Sequence, residues 1–167
     1  DCRINLIIEG TSEIMHLFIA REVMDGHLRR ILPLMSSKTS FGQKIQKAFQ
    51  AFLYYGVWYP RQWVYLSRWR RHAKVSSMSR GHVRFIEKTS HKLARSLFHA
   101  MAVHQQGLEK RQQILFRFVN IGTDLFAMAA ACSRAASMTS RNPSDKGPEE
   151  LADLFCRDAR IRIRREF

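Results

Sequence analysis

Cysteine is scarce in this 167-residue chain, and the three present (Cys2, Cys132 and Cys156) are odd in number and far apart. That excludes a disulfide framework and fits a reducing compartment, and with no Cys-x-x-Cys pair the usual zinc spacings are missing too. Only four prolines and a hydrophobic content of 46% argue against wholesale disorder. No stretch alternates polar and apolar with period two for long enough to make a strand. Gly-rich phosphate loops and a Ser-His-Asp arrangement are not discernible. His91, His99 and His104 share one helical region, but not at i, i+4 spacing and with no carboxylate to complete a metal set. The length bounds the chain to one domain, or one domain plus an appendage.

Acid is the most unevenly missing residue type. Residues 26–86 hold twelve Lys or Arg and no Asp or Glu, whereas residues 1–25 carry five acids against two bases. Most of the net charge of +14 therefore comes from one stretch. The same stretch holds every Trp (Trp58, Trp63, Trp69) and every Tyr (Tyr54, Tyr55, Tyr59, Tyr65). Such segregation is not what a uniformly solvated surface gives. The chain also starts without Met or a charged n-region, so no signal peptide is visible. Its first residues read as the middle of a fold, and the expectation is a fragment of a longer protein.

What is there reads as helices. Thr11 or Ser12 can cap a first helix, with Glu13 in its first turn where the dipole favours an acid. Ile14, Leu17, Phe18 and Leu28 recur at helical spacing until Pro33. A second helix is predicted over about Phe41 to Tyr59, with Ile45, Ala48, Phe49, Phe52, Leu53 and Gly56 on one face and Pro60 as its end. A short helix is expected to follow, then a loop from Ser76 to Gly81. Two longer helices are predicted over about Val83 to Gln106 and Leu108 to Ser140, broken at Gly107. Asn142 to Pro148 reads as a loop, and Glu149 and Glu150 open a last amphipathic helix.

Two segments carry candidate chemistry. The first is Glu9-Gly10-Thr11, after the apolar run Ile4 to Ile8. A carboxyl among Leu6, Ile7 and Ile8 is poorly solvated, which raises its pKa and suits a general base near neutral pH. Gly10 permits a close approach. An ordinary helix-entry turn fits the same residues. The second is the basic, aromatic segment Phe41 to Lys74, whose longest charge-free run is the thirteen residues Ala48 to Pro60. That is too short to cross a bilayer, which needs roughly 20 residues. Lying in the interface fits better, with Lys44, Lys47, Arg68, Arg70 and Arg71 at an anionic membrane surface and Phe49, Phe52, Trp58, Trp63 and Trp69 buried at headgroup depth. Packing on a missing domain or across a dimer is the alternative. No nucleic acid is expected as a partner, because no recognised reading module accompanies the charge.

The string RINLIIEGTSEIMHLFIARE resembles the C-terminal signature of the acyl-CoA dehydrogenases: Arg3-Ile4, Glu9-Gly10-Thr11, Glu13-Ile14 and Ala20-Arg21-Glu22 stand at that family's spacing. Further on, Asp124-Leu125-Phe126-Ala127-Met128 and Ser133-Arg134-Ala135 resemble the helical extension of the very-long-chain members. The resemblance implies an all-α fold: the end of the dehydrogenase helical domain (1–35), a basic aromatic segment (36–82) and an appended helical bundle (83–167). It implies that Glu9 is the base removing the α-proton of a long-chain acyl-CoA substrate, that Gly10 lies against that substrate, and that Thr11, Ser12 and Glu13 contact FAD. It further implies β-oxidation chemistry giving trans-2-enoyl-CoA, an electron-transferring flavoprotein as electron acceptor, and a homodimer. The parent would be peripheral on an inner membrane, on the mitochondrial matrix side or the cytoplasmic side of a bacterium. The chain departs from its relatives at Ile8, where Tyr or Phe is usual, and at His16, where many have Arg. A second class stays open: a non-catalytic membrane-binding or assembly module of a dehydrogenase-like scaffold.

Overall fold

The structure, a computed structural model, describes residues 12–35, 41–64 and 77–167. Five α-helices are present and no strand occurs among the described residues. They are α1 (Ser12–Met35), α2 (Phe41–Arg61), α3 (Ser77–His104), α4 (Gln112–Arg141) and α5 (Gly147–Glu166), with a 3₁₀ turn at Gln105–Leu108 between α3 and α4. The all-α expectation holds.

Helix α4 is the axis of the packing. It lies against α5 most extensively, and also against α3 and α1, while α2 packs on α1. Small buried side chains on α5, Ala152, Cys156 and Ala159, let that helix approach the larger residues of α4. Ile121, Leu125, Met128 and Cys132 of α4 form one buried cluster with Cys156, Ala159 and Ile163 of α5. A second cluster joins Ala20 and Met24 of α1 to Leu97 of α3, Leu108, and Leu115 and Val119 of α4. By length and composition α4 is also apolar enough to cross a membrane. A helix at the centre of a bundle has the same composition, and its buried residues run from Leu115 to Ala135.

Several boundaries differ from expectation. Pro33 and Pro60 lie inside the last turns of α1 and α2 rather than ending them. Proline there removes a single intrahelical bond close to where the ladder stops anyway. The stretch Ser77–Gly81, expected as loop, is the first turn of α3. Its Ser79 and His82 are 5% and 4% exposed, so packing overrides weak local propensity. The break between α3 and α4 runs over residues 105–111 and includes Gly107 as expected, but its left-handed residue is Gln105, with a φ of 47°. A non-glycine residue there costs roughly 1–2 kcal/mol. The last helix also begins earlier than expected, two residues ahead of Glu149: Pro148, expected in the loop, sits in its first turn, the Asp145 carboxylate accepts from the Gly147 backbone N–H at 2.9 Å, and acids precede bases along its dipole.

The apolar faces of the first two helices are only partly used. On α1, Leu17 and Leu28 pack inward but Ile14 and Phe18 are exposed. On α2, Ile45, Phe49, Phe52, Leu53 and Val57 all face outward. The inner side of α2 is aromatic instead: Tyr55 and Trp58 meet Phe98 of α3 with ring centroids 5.1 and 5.6 Å away. The inward rings carry polar tips that find partners, Tyr55 with His27 and Tyr59 with His99, which the outward Phe49 and Phe52 lack.

Candidate functional site

Glu9, Gly10 and Thr11 lie outside the described residues. Chain continuity sets them directly ahead of α1, which opens at Ser12 and carries an exposed Glu13 in its first turn. Below that entry, α1, α3 and α4 enclose an apolar groove of about 790 Å³. Ile19, Val23 and His27 line it from α1, Leu93 and Leu97 from α3, and Phe118 and Gly122 from α4. Gly122 matters to its shape: a side chain there would meet Leu93 at 3.9 Å.

One titratable group closes the groove. His27 is hydrogen-bonded through Nδ1 to the Tyr55 hydroxyl at 3.0 Å and meets the Trp58 ring edge-on at 5.1 Å. Burial, and then the nearby Arg30 charge, push its pKa below the ordinary 6.5. The folded state therefore favours neutral His27, and its contribution to stability is full above about pH 6.5 and declines as pH falls toward the lowered value. Acidification from pH 7.5 to 5.5 is expected to loosen the α1–α2 contact, seen as quenching changes in Trp58 fluorescence. His27→Gln should flatten that response, and an unchanged pH profile in the variant would count against it.

The residues singled out for a membrane surface are divided by the fold. Phe49 and Phe52 are 60% and 72% exposed, with Lys47 exposed and Lys44 half-buried on the same helix. Trp58 is turned the other way, wedged between His27 and Phe98, so it cannot share the outward face with them. Trp63 is exposed, but the Arg95 guanidinium sits over its ring at 4.3 Å. Arg68, Trp69, Arg70 and Arg71 lie outside the described residues.

The structure also assembles groups that sequence reading did not connect. His82 Nε2–H donates to Asp153 Oδ1 at 2.8 Å, tying α3 to α5. That bond, reinforced by Arg157, holds the Asp153 carboxyl below its usual range. Beside it, the buried thiols of Cys132 and Cys156 lie 3.7 Å apart. The hydrogen bond between them lowers the pKa of Cys132 and raises that of Cys156, so only one sulfur can readily ionise. Asp124, at the head of the Asp-Leu-Phe-Ala-Met run, accepts from Arg162 of α5 at 2.8 Å. His16 Nε2–H donates to Asn120 Oδ1 at 2.8 Å, and Asn120 donates on to Glu166 at 3.1 Å. These partners stand 24 to 104 positions apart, and no local pattern announces them. Among the described residues no cluster of His, Cys, Asp and Glu could hold a metal.

The described residues form a helical bundle arranged around α4, with Glu9-Gly10-Thr11 preceding its first helix in the sequence. The chain belongs to the acyl-CoA dehydrogenase family. Residues 79–167 match the family described as ACAD9/ACADV, C-terminal domain. The chain is 40% identical over 168 residues to proteins named probable acyl-CoA dehydrogenase FadE10, from Mycobacterium bovis and from two strains of Mycobacterium tuberculosis. Each alignment covers 98% of this chain and 25% of the relative, so the chain spans about a quarter of the length of the curated relatives it matches. No solved structure matches.

Proposed function

We propose that the chain is the C-terminal part of an FAD-dependent, very-long-chain-type acyl-CoA dehydrogenase, which oxidises long-chain acyl-CoA to trans-2-enoyl-CoA. The observation that carries this is the Glu9-Gly10-Thr11 entry to α1 in a chain of this family. Glu9 takes the α-proton. A backbone N–H donated there to the thioester carbonyl would stabilise the developing enolate. Gly10 leaves room for the substrate. Thr11, Ser12 and Glu13 are the residues that would hold FAD, and the exposed Glu13 carboxylate can accept from hydroxyls of a flavin nucleotide. FAD, when bound, supplies the hydride acceptor. The outward Ile14 and Phe18 of α1 are consistent with burial against the rest of such an enzyme. An electron-transferring flavoprotein as acceptor and a homodimeric assembly complete the reading. The test is the flavin spectrum of the full-length protein, which is expected to bleach on adding palmitoyl-CoA. Bound FAD that never bleaches would sink the enzyme reading and leave the non-catalytic scaffold.

The same proposal places the protein peripherally on an inner membrane through α2. Its support is the outward apolar stripe from Ile45 to Val57, flanked by Lys44, Lys47 and Arg61. Each cation near an anionic surface contributes about 1 kcal/mol, and the apolar residues add burial at headgroup depth. Flotation with cardiolipin-containing vesicles is expected to carry the protein upward. Phe49→Ser with Phe52→Ser should reduce the floated fraction several-fold, whereas binding indifferent to both changes would remove α2 from the interface.

A further inference from the structure

A cleft of about 500 Å³ runs between α3 and α5, away from the apolar groove. Arg84, Lys88 and Lys92 line one wall, and Arg160 and Arg164 the other. No acidic residue contributes to the lining. Among the described residues, none of these five forms an ion pair with a carboxylate. Both walls repeat like charges at i, i+4, a spacing that works against each helix. Two such ladders facing each other compound the repulsion. Elsewhere the same helix α5 pairs its cations: Arg157 with Asp153, and Arg162 with Asp124 and Asp158. Arg165 is the exception on α5, without an ion pair among the described residues and outside the cleft.

Two of these cations are already held in place. The Lys92 ammonium stands 3.6 Å above the Phe167 ring, and the Arg160 guanidinium 4.5 Å from the Phe85 ring. Stacking fixes the charged heads and lowers the ordering cost of a ligand that meets them. Gly81 keeps one end open, since a side chain there would meet nothing within 4 Å. Successive cations on α3 climb by about 6 Å per step, so the ladder runs along roughly 12 Å of helix. A single phosphate satisfies one rung. A chain of phosphates satisfies several, and guanidinium forks bind such groups bidentately.

We propose that the α3–α5 cleft binds a soluble ligand carrying two or more linked phosphate groups, one per chain. A recessed trough with charge on facing walls fits a narrow polyanion that enters it, whereas a bilayer presents its headgroups on a plane. The test uses inorganic tripolyphosphate and orthophosphate as probes, titrated calorimetrically into the full-length protein at about 0.15 M salt, where charges beyond about 8 Å are screened. Saturable tripolyphosphate binding is expected, at least tenfold tighter than orthophosphate. Lys88→Glu with Arg164→Glu should weaken it at least tenfold, and Lys88→Gln with Arg164→Gln should do the same if the reversal fails to fold. Lys110→Glu, a cation outside the cleft, should leave it unchanged. Three results would overturn the proposal: equal loss with Lys110→Glu, no difference between the two anions, or binding to phosphatidylglycerol vesicles with none to tripolyphosphate.

Discussion

Glu9→Gln is expected to keep FAD bound and to lose the bleaching that palmitoyl-CoA produces. Glutamine matches the shape of the side chain but cannot take a proton. A positioned base contributes typically about 10²–10⁴-fold, so turnover should fall by that much while the flavin spectrum in the absence of substrate stays the same. Stopped-flow absorbance at the flavin band separates the two readouts. In the proposed site a base shielded from water has no solvent substitute nearby, so the expected loss is large. Turnover retained in the variant would move the base to another residue and leave Glu9 as part of a helix-entry turn.

Met128→Ala is expected to be the most damaging single change to the bundle. Met128 is 0% exposed and lies in the cluster that joins α4 to Cys156, Ala159 and Ile163 of α5. Truncating a buried Met to Ala costs about 2–5 kcal/mol, because the lost transfer energy adds to that of the cavity left behind. For a chain of this size the melting temperature should drop by roughly 5–15 °C, read by circular dichroism or calorimetry. Phe126→Ala two residues earlier is the control. That ring is 76% exposed, and its removal should shift stability by about 0.5 kcal/mol or less. Similar losses from both variants would mean that α4 is not packed as described.

The motif that announces Met128 shows how far the sequence could be read. In Asp124-Leu125-Phe126-Ala127-Met128 the structure buries Leu125 and Met128, three positions apart on one helix face, and exposes Phe126. The all-helical fold and the five main helices were legible for the same reason, since a period near 3.6 persists through each. Partners distant along the chain were not legible. Nothing in the surroundings of Ser79 and His82 signals that they are buried, because burial there comes from Asp153, 71 positions away from His82. The inward side of α2 was hidden for a different reason. Apolar periodicity marked Ile45, Phe49 and Phe52, while the contacts to α1 and α3 are made by Tyr55, Trp58 and Tyr59. Arg162 as the partner of Asp124 likewise depends on how α4 and α5 cross, which charge spacing along either helix does not specify.

The thiol pair between α4 and α5 gives the bundle a built-in gauge of its own breathing. Cys132 and Cys156 sit on opposite helices, 3.7 Å apart and buried, so an alkylating reagent reaches either one only while the two helices are separated. When reclosing outpaces alkylation, the labelling rate divided by that of an open thiol is the fraction of time spent open, and its logarithm is the free energy of that local opening. Because the two sulfurs report from the two walls of one interface, matched rates mark a joint excursion of α4 and α5, and unequal rates mark fraying of one helix alone.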